Sequence, residues 1–502
     1  MSLVRKNIIA NLIGSGWVAL ISIAFIPLYI HFMGVEAYGL VGFYLTLQAV
    51  FAVLDMGLTA TVSRELARLS PSQGHAQQMR NLVRTLEVVY WGVALFIMVL
   101  VILLAPWIAT QWLNANTLSE DTLREAIMLM GVMIALRMPY GFYGGGLLGL
   151  QRQVQLNVIK VVVETLRSGG VVLVLWLASP TIVVFFQWQL AISALGAVAM
   201  AWALWRSLPR PSSRPVFQLS VFRKLWRFAA GMSGIMVLSA ILVQMDKLVL
   251  SKMLTLEAFA YYSLASTVAV GLYVIIGALF SSVYPRLTQL QARQESALLK
   301  SFYHKSCQMM TVLVMPMAML ISFFSINILQ LWTHNEIVAE QTAPILSILV
   351  VGTALNGMMN LPFALQLAHG WTRLAIGMNT VAIAILLPSL IIVVEWFGAI
   401  GAASIWLVLN AGYIVFGLAL MHRKIFKGEL RRWIVADFAI PSLVSFSVVL
   451  SFWMLFPDSL GAIGQLVWIA FAGLLASLLA ALAAPAIRES ILLKVGAWKL
   501  AG

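Results

Sequence analysis

In the stretch QLNVIKVVVETLRSGG (155–170), Lys160, Glu164 and Arg167 occupy positions i, i+4 and i+7 of a mostly apolar run. On a helix that spacing puts all three on one face. Glu164 can neutralise one neighbour, so the face keeps a net positive charge. Arg167 lies about 18 Å along the axis from Gln155, and Arg137 is similarly central in the apolar run before it. Charges so placed are costly and ordinarily face a wet or protein-lined interior. Fixed cations there suit an anion that must pass through low-dielectric space, and arginine suits phosphate because its fork binds two oxygens at once. The competing reading is a structural ion-pair ladder between neighbouring helices.

Three further places raise the same question. Asp246 and Lys247 stand side by side in an apolar run, about 100° apart on a helix, so both need not face one cavity. Asp246 is a candidate to carry a proton or sodium ion, or else packs in an ion pair. In VLDMGLTATVSRELA (53–67), Asp55 and Arg64 would point to opposite faces of an unbroken helix, nine residues apart. Either the partner of Asp55 comes from another helix, or it is protonated, or Gly57 breaks the helix. Arg64 reads as an orientation or lipid-headgroup residue, or as a gate contact at the inner cavity mouth. Asn356 and Asn360, at i and i+4, are candidate cavity amides for sugars, or else hydrogen-bond between helices.

The elements that must position these residues follow from composition. The 502 residues are 62% hydrophobic and 10% charged, with mean hydropathy +0.95, far from the roughly 25% charged of a soluble domain. Apolar runs repeatedly exceed the ~20 residues that cross a bilayer as a helix. The fold class is all-α: a polytopic membrane protein of about fourteen spans. The first span, 7–30, is expected to be retained rather than cleaved as a signal peptide. Spans 1–6 occupy 1–206, a Pro-rich basic linker 207–225, spans 7–12 residues 226–422, and spans 13–14 with a tail residues 423–502. With the N-terminus in the cytoplasm, 26 of the 32 Lys and Arg fall in inside segments, and only Arg124 and Lys252 in outside loops. That asymmetry is the standard orientation signal; it places both termini in the cytoplasm.

Several function classes lack support. The single Cys307 provides neither a disulfide framework nor a thiolate cluster. The six histidines show no ligand spacing, so no metal and no other cofactor is expected. The net charge of +14 sits in the loops, which speaks for topology and anionic lipid heads rather than nucleic acid. No phosphate-binding G-x-x-x-x-G-K-[ST] loop, G-x-S-x-G elbow or H-E-x-x-H helix is present. Trp112, Trp176, Trp332 and Trp396 fall near outer span ends, where aromatic belts form. Gly141, Gly145 and Gly149 read as a close-packing or flexible segment.

Residues 34–69 and 255–290 form an internal repeat, with Glu36-Ala-Tyr answering Glu257-Ala-Phe. It suggests two parallel halves of six spans, a common transporter plan. The runs VLDMGLTATVSRELA and QMDKLVLSKMLTLEAFAYYSLASTVAVGLYVIIGALFSSVYPRLTQL resemble the oligosaccharide flippases of the MOP superfamily, and within it the Wzx-type polysaccharide biosynthesis and O-antigen transporter proteins. The likeness covers roughly 110 residues at the starts of the two halves.

The resemblance implies two six-helix lobes around a central cavity. The implied substrate is a polyprenyl-diphosphate-linked oligosaccharide, turned from the cytoplasmic to the periplasmic leaflet of a bacterial inner membrane. It further implies a polysaccharide polymerase and a chain-length regulator as partners in the same membrane. On this reading Arg137, Lys160, Arg167 and Lys247 hold the diphosphate or acidic sugars, and Asp55, Glu164 and Asp246 are candidates for ion coupling. The alternatives are a MATE-type ion-coupled exporter of small molecules, or a membrane polysaccharide polymerase or ligase. The last would want a long periplasmic loop with catalytic residues, and the longest outside connection, 106–122, carries no such set.

Overall fold

A chain this apolar must satisfy its backbone within each segment, because lipid offers no hydrogen-bond partners. Helices are the outcome. The computed structural model describes residues 3–70, 74–209, 213–223, 243–457 and 459–490. Its helices run α1 Leu3–Ala24, α2 Ile26–Met33, α3 Val35–Phe51, α4 Leu58–Leu69, α5 Ala76–Trp107, α6 Glu120–Gly149, α7 Gln153–Leu177 and α8 Ile182–Ser207. After α9 at 243–253 come α10 Leu256–Val270, α11 Tyr273–Ala292, α12 Ser296–Phe323, α13 Ser325–Thr333, α14 Glu336–Ala368 and α15 Arg373–Gly412. The last are α16 Leu418–Lys424, the single turn α17 Leu430–Arg432, α18 Ile440–Met454 and α19 Ala462–Ala483.

Eleven helical segments among the described residues are long and apolar enough to cross a membrane. They account for twelve of the expected spans, because Arg373–Lys424 holds two, joined where Gly398 leaves helical geometry at φ 56° and ψ −138°. The α7 helix is of spanning length, but Lys160, Glu164 and Arg167 fall in every eighteen-residue stretch of it and set it apart from the eleven. Most of the expected span 226–252 lies outside the described residues. Large apolar side chains on the outer faces are open to the surroundings, among them Trp176 at 69% and Trp396 at 77%. That is the inverse of a soluble surface and suits lipid.

The chain divides into two compact units, Met1–Ala260 and Tyr261–Gly502. In the first, α6 is the central element, packed against α3, α4, α5, α7 and α8. Its glycines permit this: a methyl at Gly145 would lie 2.9 Å from the Thr59 carbonyl oxygen, and one at Gly149 the same distance from Ser63 Cα. Both neighbours are α4 backbone, whereas Gly141 faces open space. In the second unit α14 packs on α11, α12, α13 and α15, while α12 also holds α18 and α19.

The repeat shows in local structure. The α3 helix ends at Phe51, followed by a tight turn over Ala52–Asp55, left-handed Met56 and Gly57, and α4. At the corresponding place α10 ends at Val270, and α11 starts three residues on. Each motif is a broken helix, so the face count that set Asp55 opposite Arg64 on one rod does not apply.

Candidate functional site

The α7 helix carries its three charges into the first unit against α6 and α8. Arg167 Nη1 donates to Glu164 Oε1 at 2.8 Å, with side chains only 15% and 16% exposed. Its Nη2 reaches Ser193 Oγ on α8 at 3.4 Å, and its backbone carbonyl accepts from Gln189 Nε2 at 3.3 Å. Its Nε is buried without a partner among the described residues. Glu164 is thus committed to Arg167. Lys160, one turn earlier and half-buried, has no carboxylate within 4.0 Å among the described residues, and neither has Arg137 on α6. Arg137 lies within electrostatic range of Lys160, Tyr44 and Tyr140. Four charged groups in one region therefore sum to three cations against one anion, lined by two tyrosines. The Arg167–Glu164 pair realises part of the ladder reading; Lys160 and Arg137 stand outside it.

Asp55 obtains its partners from its own turn and from another helix. Thr59 Oγ1 donates to Asp55 Oδ1 at 2.5 Å, and Tyr90 Oη on α5 donates to the same oxygen at 2.5 Å. The helix break and the inter-helix partner both occur. Arg64 is exposed and reaches Glu65 Oε1 at 3.2 Å, and Arg68 reaches Glu65 Oε2 at 2.7 Å. Burial works against the charge of Glu65, yet the hydrogen bonds and charges of Arg68 and Arg64 hold its carboxyl below the usual range. Asp246 and Lys247 lie half-buried on α9.

In the second unit Asn356 is used between helices. Its Oδ1 accepts from Tyr273 Oη on α11 at 2.8 Å, and its Nδ2 donates to Asn410 Oδ1 on α15 at 2.8 Å. Asn360 Nδ2 folds back on the Asn356 carbonyl at 3.0 Å. An apolar groove of about 720 Å³ lies along α15 between residues such as Met378, Leu386 and Phe416, with Arg373 at one end.

Three buried groups escaped the sequence reading, which took Asp55, Glu164 and Asp246 as the acidic residues within spans. Glu87 on α5 is 7% exposed. It accepts from Arg84 Nη1 at 2.8 Å, Tyr143 Oη at 2.7 Å and Trp205 Nε1 at 3.0 Å. Asp437, fully buried, bonds His304 Nδ1 and accepts from Gln308 Nε2 at 2.8 Å. Glu87 and Asp437 fall inside the expected spans 81–105 and 436–456, near their ends, where a charge passes for an end marker. The signal for His304 was its i, i+4 spacing to Gln308 on one face.

Long apolar helices in two units, with charged groups deep in the packing, define a polytopic membrane protein. The chain belongs to the family described as polysaccharide biosynthesis protein, whose sequence profile matches residues 4–291. A Shigella flexneri protein provisionally named as an O-antigen transporter is 22% identical over 407 residues, covering 80% of this chain and 93% of that one. Among solved structures, the lipid II flippase MurJ in an inward closed conformation aligns with a TM-score of 0.71 at 14% identity, over 97% of this chain and 100% of that one. An inward-facing MATE family multidrug resistance transporter of the MOP superfamily aligns at 0.68 and 12% identity, over 83% and 96%. At these identities the structures speak for the fold alone. The likeness to polysaccharide biosynthesis proteins read from the two start-of-half runs is thus shown.

Proposed function

We propose that this chain turns polyprenyl-diphosphate-linked oligosaccharide repeat units from the cytoplasmic to the periplasmic leaflet of a bacterial inner membrane, for O-antigen or exopolysaccharide synthesis. The observation that carries the reading is the cation surplus on α6 and α7: Arg137, Lys160 and Arg167 against Glu164 alone. A diphosphate is the anion such a surplus suits, because a guanidinium fork and a half-desolvated ammonium together offset its charge where water is scarce. In this scheme Lys160 and Arg137 meet the diphosphate first, Arg167 exchanges Glu164 for it, and Lys247 contributes from α9.

Alternating access between lobes 1–206 and 226–422 moves the substrate, with 423–502 appended, both termini cytoplasmic and Arg64 at the inner gate. Asp55 and Asp246 are the proposed ion-coupling carboxylates, and a polymerase and a chain-length regulator the proposed neighbours. The family and the relative named for O-antigen transport support the substrate class.

The test is surface polysaccharide export in cells carrying Arg137→Ala, Lys160→Ala or Arg167→Ala at normal membrane abundance. Loss of export with accumulation of lipid-linked repeat units is expected; normal export from all three would sink the assignment.

A further inference from the structure

The second unit buries a linear set of titratable groups that the proposed transport path does not use. His304 on α12 is 0% exposed and sits between two carboxylates on opposite ring nitrogens. Nδ1 is bonded to Asp437, and Nε2 lies 3.3 Å from Glu429 Oε2 without the geometry of a hydrogen bond, so Nε2 is a buried nitrogen with no hydrogen-bond partner among the described residues. Because the carboxylates face opposite edges of the ring, one cation cannot contact all three groups. Among the described residues no group of three or more His, Cys, Asp or Glu is arranged to hold a metal ion.

Exposure falls along the line. Lys300 is 39% exposed, Glu429 21%, His304 0% and Asp437 1%. Lys300 Nζ holds Glu429 Oε1 at 3.3 Å, and Arg432 adds a positive charge at Glu429. From α12, Tyr303 and Cys307 also approach Asp437, and from α16 His422 approaches His304, Glu429 and Asp437. Asp437 lies within the π-helical segment Trp433–Ala439, a widened turn of the kind that recurs at functional sites. Gln308 ties the set to the end of the chain, since its Oε1 accepts from the Ala486 backbone N–H at 2.8 Å.

A neutral imidazole has one N–H for two carboxylate neighbours. With His304 neutral, the Nε2 edge of the ring has no hydrogen-bond partner among the described residues. One more proton gives both nitrogens a donor. We propose that Glu429, His304 and Asp437 form a proton-binding relay at the junction of α12 with the segments before α18 and after α19. The proton enters from water at Glu429, binds His304 Nε2, and leaves Nδ1–H shared with Asp437. No bond other than these to hydrogen changes. The inference stands apart from the glycan assignment, since it concerns proton uptake by the protein itself.

The experiment is a pH jump from neutral to mildly acidic on the purified full-length protein, with proton uptake followed by an indicator dye. Wild type is expected to take up about one proton per chain more than His304→Gln. Asp437→Asn is expected to move that uptake to lower pH, because the ring loses the carboxylate that favours its charged form. Glu429→Gln, at the open end, is expected to slow uptake several-fold. Thermal unfolding of each variant in detergent confirms that it is folded. Equal uptake by wild type and folded His304→Gln, or an Asp437→Asn profile superimposable on wild type, would overturn the proposal. Wild-type uptake kinetics in Glu429→Gln would overturn the entry route.

Discussion

Arg167 closes on Glu164 at 2.8 Å within one turn of α7, and Lys160 on the same face stays outside the pair. This separates two kinds of charge in one apolar setting. Glu164→Gln leaves a largely buried guanidinium without its carboxylate. The expected cost is about 2 kcal/mol, below the ~3–5 kcal/mol for a fully buried pair because both side chains keep some exposure. Lys160→Ala breaks no ion pair and is expected to stay within ~0.5 kcal/mol of wild type while lowering export. Denaturant unfolding in detergent, set beside export, checks both.

The α4–α6 approach is set by glycine. Gly145→Ala and Gly149→Ala push a methyl into the backbone at Thr59 and Ser63, and Gly141→Ala meets nothing within 4 Å. The expected cost is about 1–3 kcal/mol for each of the first two and no loss for the third. A Gly141→Ala variant as unstable as the other two would remove close packing as the reason.

Asp55 holds its broken helix through Tyr90 and Thr59. Tyr90→Phe removes the donor from α5 and keeps the ring stacked on Phe142 at 4.7 Å. A hydrogen bond to a charged group suggests a loss of about 1.5–3 kcal/mol, read from the unfolding midpoint. In Asp55→Asn the added loss from Tyr90→Phe should be smaller, as a double-mutant cycle would measure.

Glu429 predicts a pH dependence with a definite sign. Burial opposes its charge, but the Lys300 hydrogen bond and the charges of His304, Lys300 and Arg432 hold its carboxyl below the usual range. A depressed folded value contributes stability that is fully present above the unfolded value of ~4.3 and disappears as pH falls through the folded value. Wild type should therefore exceed Glu429→Gln in unfolding temperature at neutral pH, and the gap should close below about pH 4. A gap that stays fully open well below pH 4 contradicts the sign.

Spans, their approximate limits and the in-out charge bias were legible because each depends on composition within one window. Lys160, Glu164 and Arg167 on one face were equally legible, since i, i+4 and i+7 is helix geometry alone. Rotation across a break was not. The turn at Met56 and Gly57 depends on two left-handed residues, and it voids any angular count from Asp55 to Arg64.

What the sequence by itself determined is which segments are apolar enough to cross and which residues strand a charge near their middle. Tertiary packing alone decided the partners. Asp437 meets His304 across 133 positions, Glu87 meets Trp205 across 118, and Asn356 meets Asn410 across 54. Such pairings depend on which helices lie side by side and how each is turned about its axis. Those two variables arise from whole faces packing together, and no local spacing encodes them.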